Sequence, residues 1–312
     1  MKYLSFVLKF TITFAIAISI SCTKQEKHEY SPSYGKKSYT ENNSVEYIFA
    51  VHPLHNSRRF FEVYQPLVNY INKRTNEFSI RLEASNDYAH FEEKLKNRKF
   101  HFALPNPYQS YQAVKIGYTI FGKMGDDDRF RGIIVVRKDS RINSIRDLKG
   151  AAISFPSATA LAAAMMPKYF LKTNGLDVER EANCRYVGSQ ESSIMNVYLG
   201  QTKAGCSWPP PWESFIEEHP QVAKALTIKW QTEPLINNGL VVRDDVRINH
   251  LAIFSDIIFR MHKNLEGREI LKRINLSSFA AITQQEYVLR VSSFLQKYEN
   301  LFGSLPVLGE NK

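Results

Sequence analysis

The chain has 312 residues, 44% of them hydrophobic, and a formal charge of +10 at neutral pH. That apolar content excludes a disordered polymer, and only three cysteines exclude a disulfide-built scaffold. The positive charges are scattered through surface-type segments and form no single stripe, which excludes a nucleic-acid reader and leaves a general bias toward anionic partners.

In chain order, Lys2 and Lys9 flank the start of an apolar run, Phe10 to Ile20, that stops at Ser21-Cys22 before polar sequence. The run is short for a membrane span and reads as a signal peptide over residues 1–21, with a small residue just before a cysteine, as lipidation at Cys22 requires. Loss of Lys2 and Lys9 with that peptide leaves a charge of +8. Residues 22–44 contain almost no aliphatic side chain and are expected to form a flexible tether. A lipid on Cys22 would place the chain in the periplasm or at the cell surface, anchored to a membrane.

From residue 45 on, strand and helix signals alternate. Glu46 to Val51 is a β-type run; Phe60, Phe61, Tyr64, Leu67, Val68 and Ile71 mark one face of a helix, with Pro66 expected to bend it or begin its second part. Phe78 to Glu83 alternates as a strand, Tyr88 to Asn97 reads as a helix, and Phe100 to Leu104 is a strand running into Asn106-Pro107-Tyr108. A second unit begins near Ser140, with a strand at Ala151 to Phe155, a helix carrying Ala162, Met165, Met166, Tyr169 and Phe170 that Pro167 should kink, and strands at Cys184 to Val187, Ala204 to Trp208 and Leu226 to Trp230. Such alternation predicts mainly parallel sheets with helices on both faces. The similar segments Ile133 to Asp139 and Leu240 to Asp245 are expected to be two extended hinge strands side by side between lobes. Lobe 1 is then residues 45–137 plus 244–312, the helical tail from His250 to Phe302 packing back on it, and lobe 2 is residues 138–243. Cys184 and Cys206 fall on strands expected to flank a third, so two thiols are predicted in place of a disulfide.

In an open α/β sheet, ligands lie beyond the carboxyl ends of the strands, where loops enter helix N-termini. Four loops qualify: His52 to Ser57, Asn106 to Tyr111, Pro156 to Thr159 and Ser189 to Ser192. His52 and His55, three apart, have metal-ligand spacing but no apparent third ligand, and no metal is expected; His55 stays a candidate ligand contact. Ser157 and Thr159 can offer hydroxyls beside free amides, and Ser189, Gln190, Glu191 and Ser192 repeat that arrangement, so two converging helix starts could hold an oxyanion. Glu191 would repel a dianion unless it turns away. Trp208 runs into Pro209-Pro210-Pro211-Trp212, expected to be a rigid extended segment that holds the indole against the cleft or packs the lobes.

Strand, Gly188-Ser189, amphipathic helix, Leu199-Gly200, then a strand with Ala204-Gly205 resembles the phosphate, phosphite and phosphonate class of periplasmic solute-binding proteins of ABC importers. The likeness runs from about Tyr47 into the C-terminal helices, and Trp208 to Trp212 looks like one branch of the class. It implies the two-lobed type II periplasmic-binding-protein fold, a small, anionic ligand between the lobes, and an ABC permease as partner. It also points to the turn at Asn106, with Tyr108 or Tyr111 reaching across. Relatives often have His after the Gly-Ser pair and Asp before the Ala-Gly pair; here Gln190 and Lys203 stand there, so a site for an amino group beside a phosphonate is not implied.

No Gly-x-Ser-x-Gly elbow, phosphate loop or Cys-x-x-Cys is present, so an enzyme is not expected, nor is a cofactor. A monomeric solute-capturing lipoprotein is expected, its ligand a phosphonate, phosphite or phosphate type oxyanion. A ligand-sensing lipoprotein of the same fold, reporting occupancy to a membrane sensor and taking a non-phosphorus organic ligand, needs the same hinge and cleft and stays open.

Overall fold

The computed structural model describes residues 45–54 and 57–310. The expected signal peptide, Cys22, the tether and His55 lie outside the described residues. No helix among the described residues is long and apolar enough to cross a membrane.

The first sheet is built from β1 (Val45–Val51), β2 (Phe78–Glu83), β3 (Phe102–Leu104), β4 (Tyr118–Met124), β10 (Gly239–Arg243) and β11 (Phe279–Ala281), in the spatial order β11-β4-β10-β3-β1-β2. The second takes β5 (Ile133–Arg137), β6 (Ala152–Phe155), β7 (Asn183–Tyr186), β8 (Ala204–Ser207) and β9 (Leu226–Gln231), in the order β7-β6-β8-β5-β9. Each has a parallel set, β1 with β2 and β3 in one and β6 with β7 and β8 in the other. Each also receives an antiparallel strand where the chain enters from the opposite lobe: β10 pairs with β3 and β4, and β5 with β8 and β9. β6 separates Cys184 on β7 from Cys206 on β8, and both are free thiols.

That arrangement corrects the expected hinge. The look-alike strands β5 and β10 are not neighbours; each sits inside its own sheet, so Ile133 to Arg137 belongs with lobe 2 and Gly239 to Arg243 with lobe 1. They look alike because each is buried on both faces, which selects the same β-branched run. The crossings precede them, at residues 125–132 and 232–238, and are bonded to one another: Thr232 N donates to Gly132 O at 2.9 Å, Leu235 N to Phe130 O at 2.9 Å, and Asn237 Nδ2 to Gly125 O at 2.6 Å.

On lobe 1, α1 (Ser57–Asn72) runs unbroken through Pro66, burying Phe60, Tyr64, Leu67, Val68 and Ile71. α2 (Tyr88–Lys96) and α3 (Pro107–Val114) follow β2 and β3. α9 (Ile248–Phe259), α10 (Leu265–Arg273) and α11 (Gln284–Phe302) return to the same core, where the Phe254 ring stacks on Phe102 at 4.2 Å. On lobe 2, a π-helical turn, Leu161–Met165, leads into α4 (Met166–Thr173), so the irregularity expected of Pro167 is taken up just before the proline. Next come α5 (Val178–Glu181) and α6 (Gln190–Tyr198), then α7 (Pro209–Glu218) and α8 (Pro220–Ala225). The triple proline is therefore no extended spacer: it forms the first turn of α7, where a missing N–H has no intrahelical acceptor to lose.

Gly205 sets how closely α6 lies on β8. A Cβ there would sit 2.5 Å from Ser193 O and 2.6 Å from Val197 Cγ2. Gly205→Ala should lower stability by about 1–3 kcal/mol in urea unfolding, because neither the helix backbone nor the buried strand can yield without moving the start of α6.

Candidate functional site

The carboxyl ends of both parallel strand sets point at one small internal cavity with room for about 10 Å³, roughly one water molecule. From lobe 1 it is lined by His52 after β1, Tyr88 at the start of α2 and Asn106 before α3; from lobe 2 by Ala160 to Ala163, Gln190 and Trp208. The crossings supply Phe130 and Asn238. All of these are at most 4% exposed, and none of the described lining residues bears a full charge at neutral pH.

Helix capping aims several of these groups. Asn106 accepts from Gln109 N at 3.0 Å while Gln109 Oε1 accepts from Asn106 N at 3.0 Å, a reciprocal capping box with Pro107 in the first turn. Its amide is thereby fixed to donate from Nδ2 to Thr159 O across the lobes at 3.1 Å. Gln190, first residue of α6, donates from Nε2 to Tyr88 Oη at 3.1 Å and accepts from Ser207 Oγ at 2.9 Å, which orients both its ends. The first-turn amides of the helix opening at Leu161 have no intrahelical acceptor, and Leu161, Ala162 and Ala163 all line the cavity. Two helix starts thus reach the cavity, one through Leu161 to Ala163 and the other through Gln190 alone. Trp208 and Phe130 close the opposite side, ring centroids 5.3 Å apart.

The remaining predicted residues are placed otherwise. Ser157 and Thr159 do not line the cavity: their hydroxyls bond each other at 2.9 Å, and Thr159 Oγ1 donates to Glu92. Ser189 caps α6, its Oγ accepting from Ser192 N at 3.1 Å and donating to Ser192 Oγ at 2.9 Å; Glu191 and Ser192 are half-buried on the first turn, outside the lining. Tyr108 turns away to bond Pro306 O and Gln112, and burial pushes its phenol up to about 12; Tyr111 packs against the lobe 1 core with Lys115 over its ring at 4.7 Å. Both lie on α3, whose N-terminus, and not its flank, faces the cavity. Lys203 is exposed at the amino end of β8, the far end from the cavity, so its charge does not enter the site. At the near end of that strand the side chain that counts is the uncharged Trp208.

Eight lining residues, His52, Tyr88, Phe130, Asn238 and the run Ala160 to Ala163, and one supporting residue, Glu92, are additional to the expected contacts. Tyr88 opens the helix after β2 behind the N-cap Asp87, the same strand-to-helix grammar as the four loops chosen above. Glu92, 1% exposed, accepts from Thr159 Oγ1, from Gln109 Nε2 at 2.8 Å and from Gly309 N at 2.6 Å. Burial raises its pKa, opposed by those three donors.

His52 donates from Nδ1 to Leu104 O at 2.9 Å, and burial holds its pKa at about 4 despite that bond. An unfolded histidine takes its proton near pH 6.5, so between pH 6.5 and 4 the unfolded chain binds a proton that the folded chain refuses, and stability falls as pH falls. The contribution is about 3 kcal/mol across that window. His52→Asn, which keeps a donor for Leu104 O, should remove that part of the acid slope in chemical unfolding measured at pH 7, 5.5 and 4.

Comparison with known proteins adds the family. The chain is 24% identical over 174 residues to a probable ABC transporter phosphite binding protein, PhnD1, of Prochlorococcus marinus (strain MIT 9301), a match spanning 52% of this chain and 59% of that protein. In solved structures, it superposes with a TM-score of 0.74 on a binding protein component of an ABC phosphonate transporter from Pseudomonas aeruginosa, at 17% identity over 83% of this chain and 88% of that one. PhnD1 of P. marinus in complex with methylphosphonate gives a TM-score of 0.72, at 17% identity over 81% of this chain and 98% of that one. The two-sheet architecture is that of periplasmic binding proteins. The profile of the ABC transporter, phosphonate, periplasmic substrate-binding protein family matches residues 49–287, and the chain belongs to that family.

Proposed function

We propose that this protein is the solute receptor of an ABC importer, capturing a small phosphorus oxyanion of the phosphonate or phosphite type between its lobes and delivering it to a membrane permease. The observation that carries this is the meeting of two helix starts, Leu161 to Ala163 and Gln190, at one buried, formally uncharged cavity at the strand carboxyl ends. Unpaired amides at helix starts stabilise an anion without a cation in the wall. Binding needs the lobes to part, because a tetrahedral oxyanion is several times larger than the present space. The small aromatic wall of Trp208, Phe130 and Tyr88 fits a compact ligand with an apolar face, such as the methyl or hydrogen substituent on phosphorus.

The decisive measurement is thermal unfolding of the purified protein against phosphite, methylphosphonate, phosphate and sulfate. Phosphite or methylphosphonate should raise the midpoint in a concentration-dependent way, with sulfate inert. A shift from an organic metabolite alone would refute the oxyanion ligand.

The anchor is the second part of this proposal: Cys22 carries the lipid and residues 23–44 tether the receptor at the membrane. Cys22→Ser should abolish incorporation of labelled fatty acid and release the protein into the soluble fraction.

A further inference from the structure

The cavity wall contains acceptors as well as donors, and acceptors are what a site for a fully deprotonated oxyanion would avoid. Asn238 is fully buried, and its Oδ1 has no protein partner. Its Nδ2 lies 3.4 Å from Met124 Sδ. A thioether sulfur can only accept, so the nitrogen belongs on that side, the unpartnered carbonyl oxygen is turned away from Met124, and Asn238 is one of the residues that line the cavity. His52 supplies a second acceptor by a separate route. Its Nδ1 faces the carbonyl oxygen of Leu104, which has no hydrogen to give, so the ring hydrogen sits on Nδ1 and Nε2 keeps a bare lone pair. On the donor side, Tyr88 Oη accepts from Gln190 and retains its own hydrogen to give, beside the first-turn amides of Leu161 to Ala163.

We propose that this site selects an oxyanion that still carries a hydroxyl hydrogen, that one hydrogen being shared between Asn238 Oδ1 and His52 Nε2 while the amides and Tyr88 donate to the bare oxygens. The proposal rests on the oxyanion reading above and makes Asn238 and His52 the residues that determine specificity. The discrimination is by hydrogen-bond direction, not by charge: methylphosphonate monoanion and methanesulfonate have the same charge and nearly the same shape, and differ in one hydrogen. Against the sulfonate, two buried acceptors would face lone pairs, and a site built to bond a ligand hydroxyl rejects the analogue lacking it by orders of magnitude.

The test is a calorimetric titration of the full protein at about pH 5.5, where phosphite and methylphosphonate carry one hydrogen and His52, with its pKa near 4, stays neutral. Phosphite or methylphosphonate should bind at least about 30-fold more tightly than methanesulfonate. N238L should shrink that ratio by about fivefold or more, whereas N238D, which keeps the shape and accepts more strongly, should preserve or widen it. Methanesulfonate binding within about threefold of the better phosphorus ligand in the unmodified protein would overturn the proposal and leave the oxyanion reading standing, whether or not either variant folds. No binding of any of the three anions would overturn both. An unchanged ratio in folded N238L would remove Asn238 from the selection.

Discussion

The arrangement of the two lobes depends on the carboxylate of Glu92, buried between them with no cationic side chain bonded to it among the described residues. It is held by one donor from lobe 2, Thr159 Oγ1, one from lobe 1, Gln109 Nε2, and one from the C-terminal segment, Gly309 N. A buried carboxylate is tolerated only where its lone pairs are filled, so parting the lobes strips away one of three donors and makes the remaining site poorer for charge. The hydroxyls of Ser157 and Thr159 are thereby committed to structure. They fix the loop whose backbone, one residue further on, opens toward the cavity.

That division of labour separates anchoring from recognition along a single loop. Side chains at residues 157 and 159 hold the geometry, and the following residues present small apolar side chains and first-turn amides. The run of Ala162, Ala163 and Ala164 has no bulk to obstruct the approach of a ligand to those amides, and Gly132 of the first crossing packs closely against the same turn, 2.5 Å from Ala162 O if it bore a Cβ. Across the cavity, the capping box at Asn106 and the two-ended anchoring of Gln190 keep polar side chains from turning over. The wall is pre-organised, which lowers the entropy that ordering it around a ligand would otherwise cost.

The fold is legible in the sequence because strand runs and helix faces alternate with clear caps, and the strand-end rule points from those runs alone to the end of the sheets where the cavity lies. Asn106 and Gln190 lie in two of the loops that rule selects, Trp208 directly follows the strand now seen as β8, and all three line the cavity. Tyr108 and Tyr111 are not separable from Asn106 by sequence, since each residue of helix turns the side-chain direction by about 100°. Lys203 is not placed by the sequence alone, because strand direction decides which end of β8 faces the cavity, and a charge one residue before the strand is at the far end. Phe130 and Asn238 lie in crossings with no periodicity, and their role depends on two segments about a hundred residues apart being brought together. The hinge was misplaced for the opposite reason: β5 and β10 have so strong a pattern that they drew attention away from the irregular residues just before them.

The crossings form a ribbon rather than two independent strings. Thr232 bonded to Gly132 and Leu235 bonded to Phe130 tie them at two levels, with Asn237 adding a third tie to Gly125. A ribbon tied at three points bends across its face far more easily than it shears along its length, so rotation of the lobes is favoured over sliding past one another. Phe130 and Asn238 ride on that ribbon while also lining the cavity. In the proposed receptor the bearing is therefore also part of the grip, and the work of closing the lobes would be coupled directly to the contacts that identify the solute.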